Sequence, residues 1–204
     1  MITPESWYIL GSPNTLIGNL VRHLLIILSL LLLSYPLFGQ KETKVVEKMR
    51  MFVTVGDSGT ILTSPDGTSW TERTSGTSDS LYGVTYGNGL FVTVGDFGII
   101  HTSPDGLSWT KRRTVTSDHL QGVTYGNGLF VSVGDSGTLL TSSDGNSWNE
   151  KTSPTSKSLN GVTYQKGLFV TVGRGTILTS PDGNSWTKRT SGTLEFLSGV
   201  TYSQ

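Results

Sequence analysis

The phrase Ser64-Pro65-Asp66-Gly67-Thr68-Ser69-Trp70 decides the architecture of this chain, because it returns three more times with small changes. The tryptophans that close the four phrases are 39, 39 and 38 residues apart, at Trp70, Trp109, Trp148 and Trp186. A fixed period near 40 residues that is rich in β-forming and turn residues is typical of a β-propeller, in which each repeat folds as one small sheet. We therefore predict an all-β propeller built from four repeats of about 39 residues.

Each repeat divides into four strand-length runs that end in turn residues. Aligned on the tryptophans, the runs read Gly-Val-Thr-Tyr-Gly-Asn, Gly-Leu-Phe-Val-Thr-Val-Gly-Asp, Gly-x-Ile-x-x-Thr-Ser-Pro-Asp-Gly and Ser-Trp-Thr-x-Arg-Thr. Gly87-Asn88 and Gly126-Asn127 are expected to form two-residue hairpin loops between the first two strands. Apolar residues on both faces of the second run, such as Leu90 and Phe91, indicate a sheet that is packed between neighbours. The prediction is a propeller of four-stranded blades.

The array begins and ends at different strands of the four-strand repeat. It begins in a second strand, Met51-Phe52-Val53, and ends in a first strand, Gly199-Val200-Thr201-Tyr202. The last strand is therefore expected to complete the first blade, which closes a ring of four blades by overlap of the termini. Two alternatives remain open: two chains form one larger ring as a homodimer, or the sequence is a piece of a longer array.

The repeated phrase resembles the Asp-box of sialidase-type (BNR-repeat) propellers, and the resemblance extends to bacterial propellers of the photosystem II assembly-factor type. It covers residues 51 to 204 and implies that the box lies between the third and fourth strands, away from the active face. The carboxylate is expected to accept backbone N–H bonds, the glycine to relieve backbone strain and the tryptophan to pack beneath. Unlike the usual box, this one has adjacent Asp and Gly. The residues with this structural role are Asp66, Gly67, Trp70, Asp105, Gly106, Trp109, Asp144, Gly145, Trp148, Asp182, Gly183 and Trp186.

The sequence lacks the residue pattern of sialidase chemistry, which the resemblance implies would need three converging arginines, an Asp acid/base and a Tyr nucleophile. Arg73, Arg112, Lys151 and Arg189 each follow a tryptophan by three residues and belong to outer strands, where charges discourage edge pairing. Only Arg174 falls in a loop between second and third strands. The three histidines do not have metal-ligand spacing, so no catalytic residue, metal or cofactor is predicted.

Two sets of loops share one face of a propeller, and they form the predicted binding face. The loops between second and third strands contain recurring aspartates, which form either an acidic rim or ordinary Asp-Gly turns. The loops between repeats vary in sequence, through either selection for binding or drift. The candidate binding residues are Asp57, Asp96, Asp135, Arg174, Asp79, Tyr82, Asp118, His119, Lys157, Glu195 and Phe196.

Composition and the N-terminus restrict location and partners. Fifteen basic and fifteen acidic residues leave no net charge, which disfavours nucleic-acid binding. The apolar run from 24 to 39 follows Arg22 and His23, a pattern typical of a signal peptide. We therefore predict a leader and signal peptide over 1–39, a linker over 40–49 and a propeller over 50–204, in a secreted or cell-envelope protein. An uncleaved N-terminal membrane anchor is the alternative.

Two classes of function follow from these observations. The first is a secreted, non-catalytic binding or scaffolding propeller that recognises a protein or a glycan through its variable loop face. The second is a degenerate or unrecognised sialidase-like glycoside hydrolase that uses acids such as Asp118 and Glu195. A glycosidase needs two carboxylates about 5 to 9 Å apart across a pocket. Near-identical repeats favour the first class, because an active site requires asymmetry.

Overall fold

The computed structural model describes residues 50–203 and, near the N-terminus, His23 and Leu24. The chain separates into two compact units, Met1–Glu47 and Lys48–Gln204, and the second contains the repeats. The predicted signal peptide, the alternative anchor and the linker lie outside the described residues, apart from positions 23 and 24. Within the described part of the chain, no helix has the length and apolar character needed to cross a membrane.

In the part of the chain that the structure describes, fifteen antiparallel strands form four sheets, one for each repeat. The first sheet contains β1 (Phe52–Val55), β2 (Ile61–Ser64) and β3 (Thr71–Arg73). The second contains β4 (Leu81–Gly87), β5 (Leu90–Gly95), β6 (Ile100–Ser103) and β7 (Thr110–Arg112). The third contains β8 (Leu120–Gly126), β9 (Leu129–Gly134), β10 (Leu139–Ser142) and β11 (Asn149–Glu150). The fourth contains β12 (Leu159–Gln165), β13 (Leu168–Gly173), β14 (Thr176–Ser180) and β15 (Thr187–Arg189).

The hairpin loops between first and second strands lie one residue later than the sequence predicts. Gly87 still pairs with Leu90, so the loop of the second sheet is Asn88–Gly89, and that of the third is Asn127–Gly128. Asn88 has a φ of 49° and Gly89 a φ of 78°. Two consecutive left-handed residues are typical of a type I′ turn, whose twist matches that of the strands.

The hydrophobic core lies between neighbouring sheets. Val94 of the second sheet packs in one cluster with Leu120 of the third. Val133 of the third sheet packs in another cluster with Leu159 of the fourth. Because each sheet buries side chains against the next one, the sheets stack as blades. The predicted all-β propeller architecture with one blade per repeat is confirmed.

The predicted overlap of the termini is wrong in this structure. Residues 199–202 do not form a strand, and the first sheet has three strands. A Cβ atom added to Gly161 of β12 would lie 3.1 Å from the Cα atom of Gly199, just as one added to Gly83 would lie 3.2 Å from Gly122. The C-terminal segment therefore continues the stack beyond the fourth sheet, at the end opposite to β1. Among the described strands, no extensive packing joins the fourth sheet to the first.

Candidate functional site on the loop face

Short 3-10 turns connect the second and third strands of the first three sheets. They span Asp57–Gly59, Asp96–Gly98 and Asp135–Gly137. In each turn the aspartate carbonyl accepts the backbone N–H of the residue three positions later, at 2.9 or 3.0 Å. The middle residue of each turn has a left-handed φ between 53° and 56°. These turns and the loops between repeats form the loop face on which the sequence places the candidate residues.

Asp96 is the centre of a polar cluster that joins two repeats. Its Oδ1 atom accepts a hydrogen bond from the Tyr82 hydroxyl at 2.6 Å and lies 2.8 Å from Nδ1 of His119. Its Oδ2 atom accepts the backbone N–H of Ser80 at 3.1 Å. Tyr82 belongs to the same sheet as Asp96, whereas His119 precedes the first strand of the third sheet. The structure thus brings together three residues that the sequence assigns separately to the binding face.

The cluster favours an ionised carboxylate. The hydrogen bond from Tyr82 lowers the pKa of Asp96, and the same bond raises the pKa of Tyr82. The Nδ1 atom of His119 also lies 3.4 Å from the backbone nitrogen of Phe97. One ring nitrogen cannot donate to the carboxylate and also accept the Phe97 N–H. We assign the proton to Nδ1, because the contact with Asp96 is shorter and is strengthened by charge.

Phe97 is a surface residue that the sequence reasoning missed. Its side chain is 64% exposed, and its ring centroid lies 5.0 Å from that of His119. Its φ of 53° is unusual for a bulky residue and costs conformational energy. The equivalent residues of the first and third sheets are Ser58 and Ser136. This break in an otherwise regular repeat is the signal that could have identified Phe97.

A groove of about 430 Å³ opens beside Phe97. Its basic part is Lys111, Arg112 and Arg113, and its acidic part is Asp79 and Asp96. Gly98, Ile99 and Thr114 complete its wall. The groove therefore combines an exposed aromatic ring with positive charge, a combination that suits a ligand with apolar and acidic groups.

Two further candidate aspartates form hydrogen bonds within the third repeat. The Oδ1 atom of Asp135 lies 3.4 Å from Nε2 of Gln121, which donates to it. The Oδ2 atom of Asp118 accepts a hydrogen bond from the Thr138 hydroxyl at 2.9 Å. Asp135 thus holds its 3-10 turn against β8, and Asp118 holds the loop between repeats against the end of the same turn.

The candidate residues of the fourth repeat form a separate contact. Arg174 pairs with Phe196 in an isolated β-bridge, and its guanidinium lies 5.3 Å from the centroid of that ring. Asp57, Lys157 and Glu195 are exposed and lie on three different loops. The structure therefore divides the eleven predicted binding residues among several small groups on the loop face.

The repeated Asp-Gly turns lie between third and fourth strands, at the opposite ends of the sheets from the 3-10 turns. In the third sheet, Oδ1 of Asp144 accepts the backbone N–H groups of Asn146 at 2.8 Å and Ser147 at 2.9 Å. The indole N–H of Trp148 donates to the carbonyl of Gly145 at 3.0 Å. Backbone hydrogen bonds, that of Ser147 above all, lower the pKa of Asp144. The same arrangement of the carboxylate recurs at Asp66, Asp105 and Asp182.

No group of three or more His, Asp and Glu side chains in the described residues is arranged to hold a metal ion. The box carboxylates are occupied by backbone N–H groups, and Asp118 by a hydroxyl. What the loop face offers is hydrogen-bonding, aromatic and charged groups for contact with a ligand.

Comparison with known proteins places this geometry among propellers. Residues 104–204 match the family model of the DUF6242 beta propeller domain. No curated protein matches the chain significantly. A structure of YCF48 bound to D1 peptide is similar over 74% of this chain and 53% of its own, with 18% identity and a TM-score of 0.58. YCF48 from Cyanidioschyzon merolae is similar over 74% of this chain and 56% of its own, again with 18% identity and a TM-score of 0.58.

The computationally designed Ika8 protein is similar over 74% of this chain and 52% of its own, with 11% identity and a TM-score of 0.53. The chain thus spans about half the length of these structures. At such identities the similarity concerns the fold. Together with the family match over residues 104–204, it confirms that this chain is a β-propeller.

Proposed function

We propose that this protein is a non-catalytic binding propeller that recognises a segment of another protein through its loop face. The observation that carries this proposal is Phe97, a largely exposed aromatic residue held in a left-handed conformation beside a groove that contains Lys111 and Arg113. Binding energy at protein interfaces is concentrated in a few aromatic and arginine residues. Phe97 and the neighbouring Arg113 supply both kinds of side chain at one place.

The contacts around Phe97 support a rigid binding site. The Phe97 ring packs against His119, which is in turn fixed by Asp96. Tyr82 holds Asp96 from the other side. A side chain that is oriented before binding loses little conformational entropy on contact. We infer that the ligand places an apolar side chain on Phe97 and an acidic one near Lys111 and Arg113.

The similarity to YCF48, a propeller seen with a bound peptide, supports a protein partner in preference to a glycan. The sialidase-like alternative is weakened because Asp118, one of its two candidate acids, is engaged by Thr138. The other, Glu195, lies in a loop of the fourth repeat. We therefore propose binding without chemistry.

We also propose that the protein acts outside the cytoplasm, secreted or in the cell envelope. The apolar run from 24 to 39 supports export. N-terminal sequencing of the protein from the exported fraction should find a mature chain that starts near Gln40. A chain that keeps its first 39 residues in the cytoplasm would contradict export.

The binding site is tested with the substitution Phe97→Ser, which introduces the residue that the first and third repeats carry at this position. Peptides selected from a displayed library on the wild-type protein should bind this variant at least about tenfold more weakly, because the aromatic anchor is lost. Affinities are measured by fluorescence anisotropy with the labelled peptides.

The matched control is Leu107→Ser, since Leu107 is an exposed apolar residue on the Asp-Gly turn, at the end of the second sheet opposite to Phe97. This variant should keep wild-type affinity for the same peptides. Equal affinity of the Phe97→Ser variant and the wild type would refute the proposed site. Failure to select any peptide, with binding to a glycan array that is lost in Phe97→Ser, would assign the site to a sugar.

A further inference from the structure

Among the described residues, the first sheet has no innermost strand, and it exposes the residues that such a strand covers in the other sheets. Phe52 of β1 is 57% exposed. Its counterparts are buried, and each lies 4.5 or 4.6 Å, between ring centroids, from a tyrosine of the first strand: Phe91, Phe130 and Phe169. Thr54 is also exposed, whereas its counterparts Thr93, Ser132 and Thr171 are fully buried. The inner edge of β1 is therefore an open edge with unpaired backbone groups among the described residues.

The chain also carries one copy of the missing strand that is not paired. Residues 199–202 read Gly-Val-Thr-Tyr, the same sequence as 83–86, 122–125 and 161–164 of the three first strands. In the second sheet, Gly83 pairs with Val94 and Tyr86 with Phe91. The same register would place Gly199 opposite Val55 and Tyr202 opposite Phe52. Tyr202 is 42% exposed, so its ring is accessible for this contact.

The faces of the first and last sheets are complementary as well. The Asp-Gly turn of each later sheet packs against the preceding repeat: Gly145 lies against Leu90, and Gly183 against Leu129. The next leucine in this series is Leu168, which is exposed at the far end of the array. At the near end, Trp70 is 43% exposed. In this series, Leu168 is the leucine that has no turn to cover, and the Asp-Gly turn of the first sheet is the one that has no leucine over it.

The position of the C-terminal segment favours a second copy over closure within one chain. Gly199 lies beside Gly161 of β12, at the end of the stack opposite to β1, and no extensive packing among the described strands joins the fourth sheet to the first. The match to YCF48 covers 74% of this chain and 53% of the other chain. The match to the designed Ika8 protein covers 74% and 52%. Two copies of the four-sheet array therefore have about the length of one of these chains.

The sequence before β1 differs from that of the complete hairpins at two positions. In the complete hairpins, the second loop residue is a glycine with a φ of 75° to 78°: Gly89, Gly128 and Gly167. The equivalent position before β1 is Arg50, and a left-handed conformation is unfavourable for arginine. Glu47 stands where the first strands have the tyrosine that packs on phenylalanine. Residues 199–202, by contrast, match the first strands at every position.

We propose that two copies of this chain close one ring of eight blades. Each copy donates residues 199–202 to β1 of the other as the innermost strand, and each covers Trp70 of the other with Leu168. The ring has two identical interfaces related by a twofold axis, and the open inner edge of β1 is paired in both copies. This assembly does not depend on which ligand the loop face binds.

The proposal is tested by a disulfide between chains, because the sequence contains no cysteine. In the register above, Thr201 lies opposite Val53, and the full chain is made with both Val53→Cys and Thr201→Cys. Oxidation should yield one covalent species with twice the chain mass of 22.0 kDa. An internally cross-linked monomer would show closure within one chain, and a ladder of larger species would show an open array. Either result, or the absence of any cross-link, overturns the proposal.

The control pairs Thr201→Cys with Leu107→Cys, since Leu107 is an exposed apolar residue on the Asp-Gly turn of the second sheet. This variant should give no dimer cross-link. Light scattering provides an independent test. The Leu168→Glu variant should have the mass of a monomer, whereas the Leu107→Glu variant should keep the mass of a dimer. A monomeric wild-type chain, or equal masses of the two glutamate variants, would contradict the shared ring.

Discussion

A single buried histidine interrupts the apolar interior of the second sheet. His101 is 1% exposed, and its Nδ1 atom has no hydrogen-bond partner among the described residues. The equivalent position of the third sheet is Leu140, which is fully buried. Burial lowers the pKa of His101, so the folded chain holds this side chain neutral near pH 7. The residue is therefore a polar group in a site built for leucine.

The substitution His101→Leu should stabilise the protein. Removing a buried polar atom without a partner is expected to raise the free energy of unfolding by about 1 to 3 kcal/mol. Urea unfolding at pH 7 measures the change. The reciprocal substitution Leu140→His should destabilise the third sheet, and a less stable His101→Leu variant would show that the imidazole has a partner.

The stability difference between the wild type and the His101→Leu variant should depend on pH. The unfolded histidine binds a proton near its ordinary pKa of 6.5, but the buried one binds it only at lower pH. The unfolded state therefore gains protons first, and wild-type stability falls as the pH drops below 6.5. The His101→Leu variant lacks this contribution, so its advantage should increase from about pH 8 to pH 5. A constant difference over that range would contradict the assignment.

Among the structural elements, the Asp-Gly turns depend most directly on one side chain. Asp144 satisfies two backbone N–H groups of its turn, and Asp144→Ala leaves them without this acceptor. We expect the free energy of unfolding to fall by about 1 kcal/mol, at the low end for charged hydrogen bonds because the turn is solvated. Asp57→Ala is the control, since this aspartate belongs to a 3-10 turn that is closed by backbone atoms.

Acid should remove the contribution of the Asp144 carboxylate. Its pKa is lowered in the folded chain, so the stabilisation is present above the ordinary value of 3.8 and is lost as the pH falls below it. The stability difference between wild type and Asp144→Ala should therefore shrink below pH 3.8. A difference that persists in acid would mean that the carboxylate is not the group that holds the turn.

On the scale of the whole molecule, the position of a repeat in the stack determines how much its tryptophan contributes. Trp148 lies inside the array and is 5% exposed, whereas Trp70 lies on its first sheet and is 43% exposed. Trp148→Ala should lower the free energy of unfolding by about 3 to 5 kcal/mol. Trp70→Ala should cost about half of that or less in dissociated chains, because less apolar area is buried. Denaturant unfolding of dilute protein compares the two, and equal costs would contradict an open first sheet.

The candidate site was predictable in part. The recurrence of Asp57, Asp96 and Asp135 in the first three repeats predicted turns between second and third strands, where the structure has them. The contact between Asp96 and His119 joins two repeats and depends on how neighbouring sheets stack, which local sequence does not encode. The sequence marks Phe97 only as a departure from Ser58 and Ser136, and its exposure follows from the left-handed φ of the turn, which the backbone conformation shows.

The sequence by itself determined the period, the number of repeats and the four-strand pattern, because turn residues and alternating apolar residues act over a few positions. It also placed the Asp-Gly turns, whose hydrogen bonds are local. Only the tertiary structure decided whether residues 199–202 pair with another strand. The identical sequence Gly-Val-Thr-Tyr is a paired strand at 161–164 but not at 199–202, since pairing requires a second strand within reach. That distance is set by the rotation between stacked sheets, a property of the packed array that no single repeat contains.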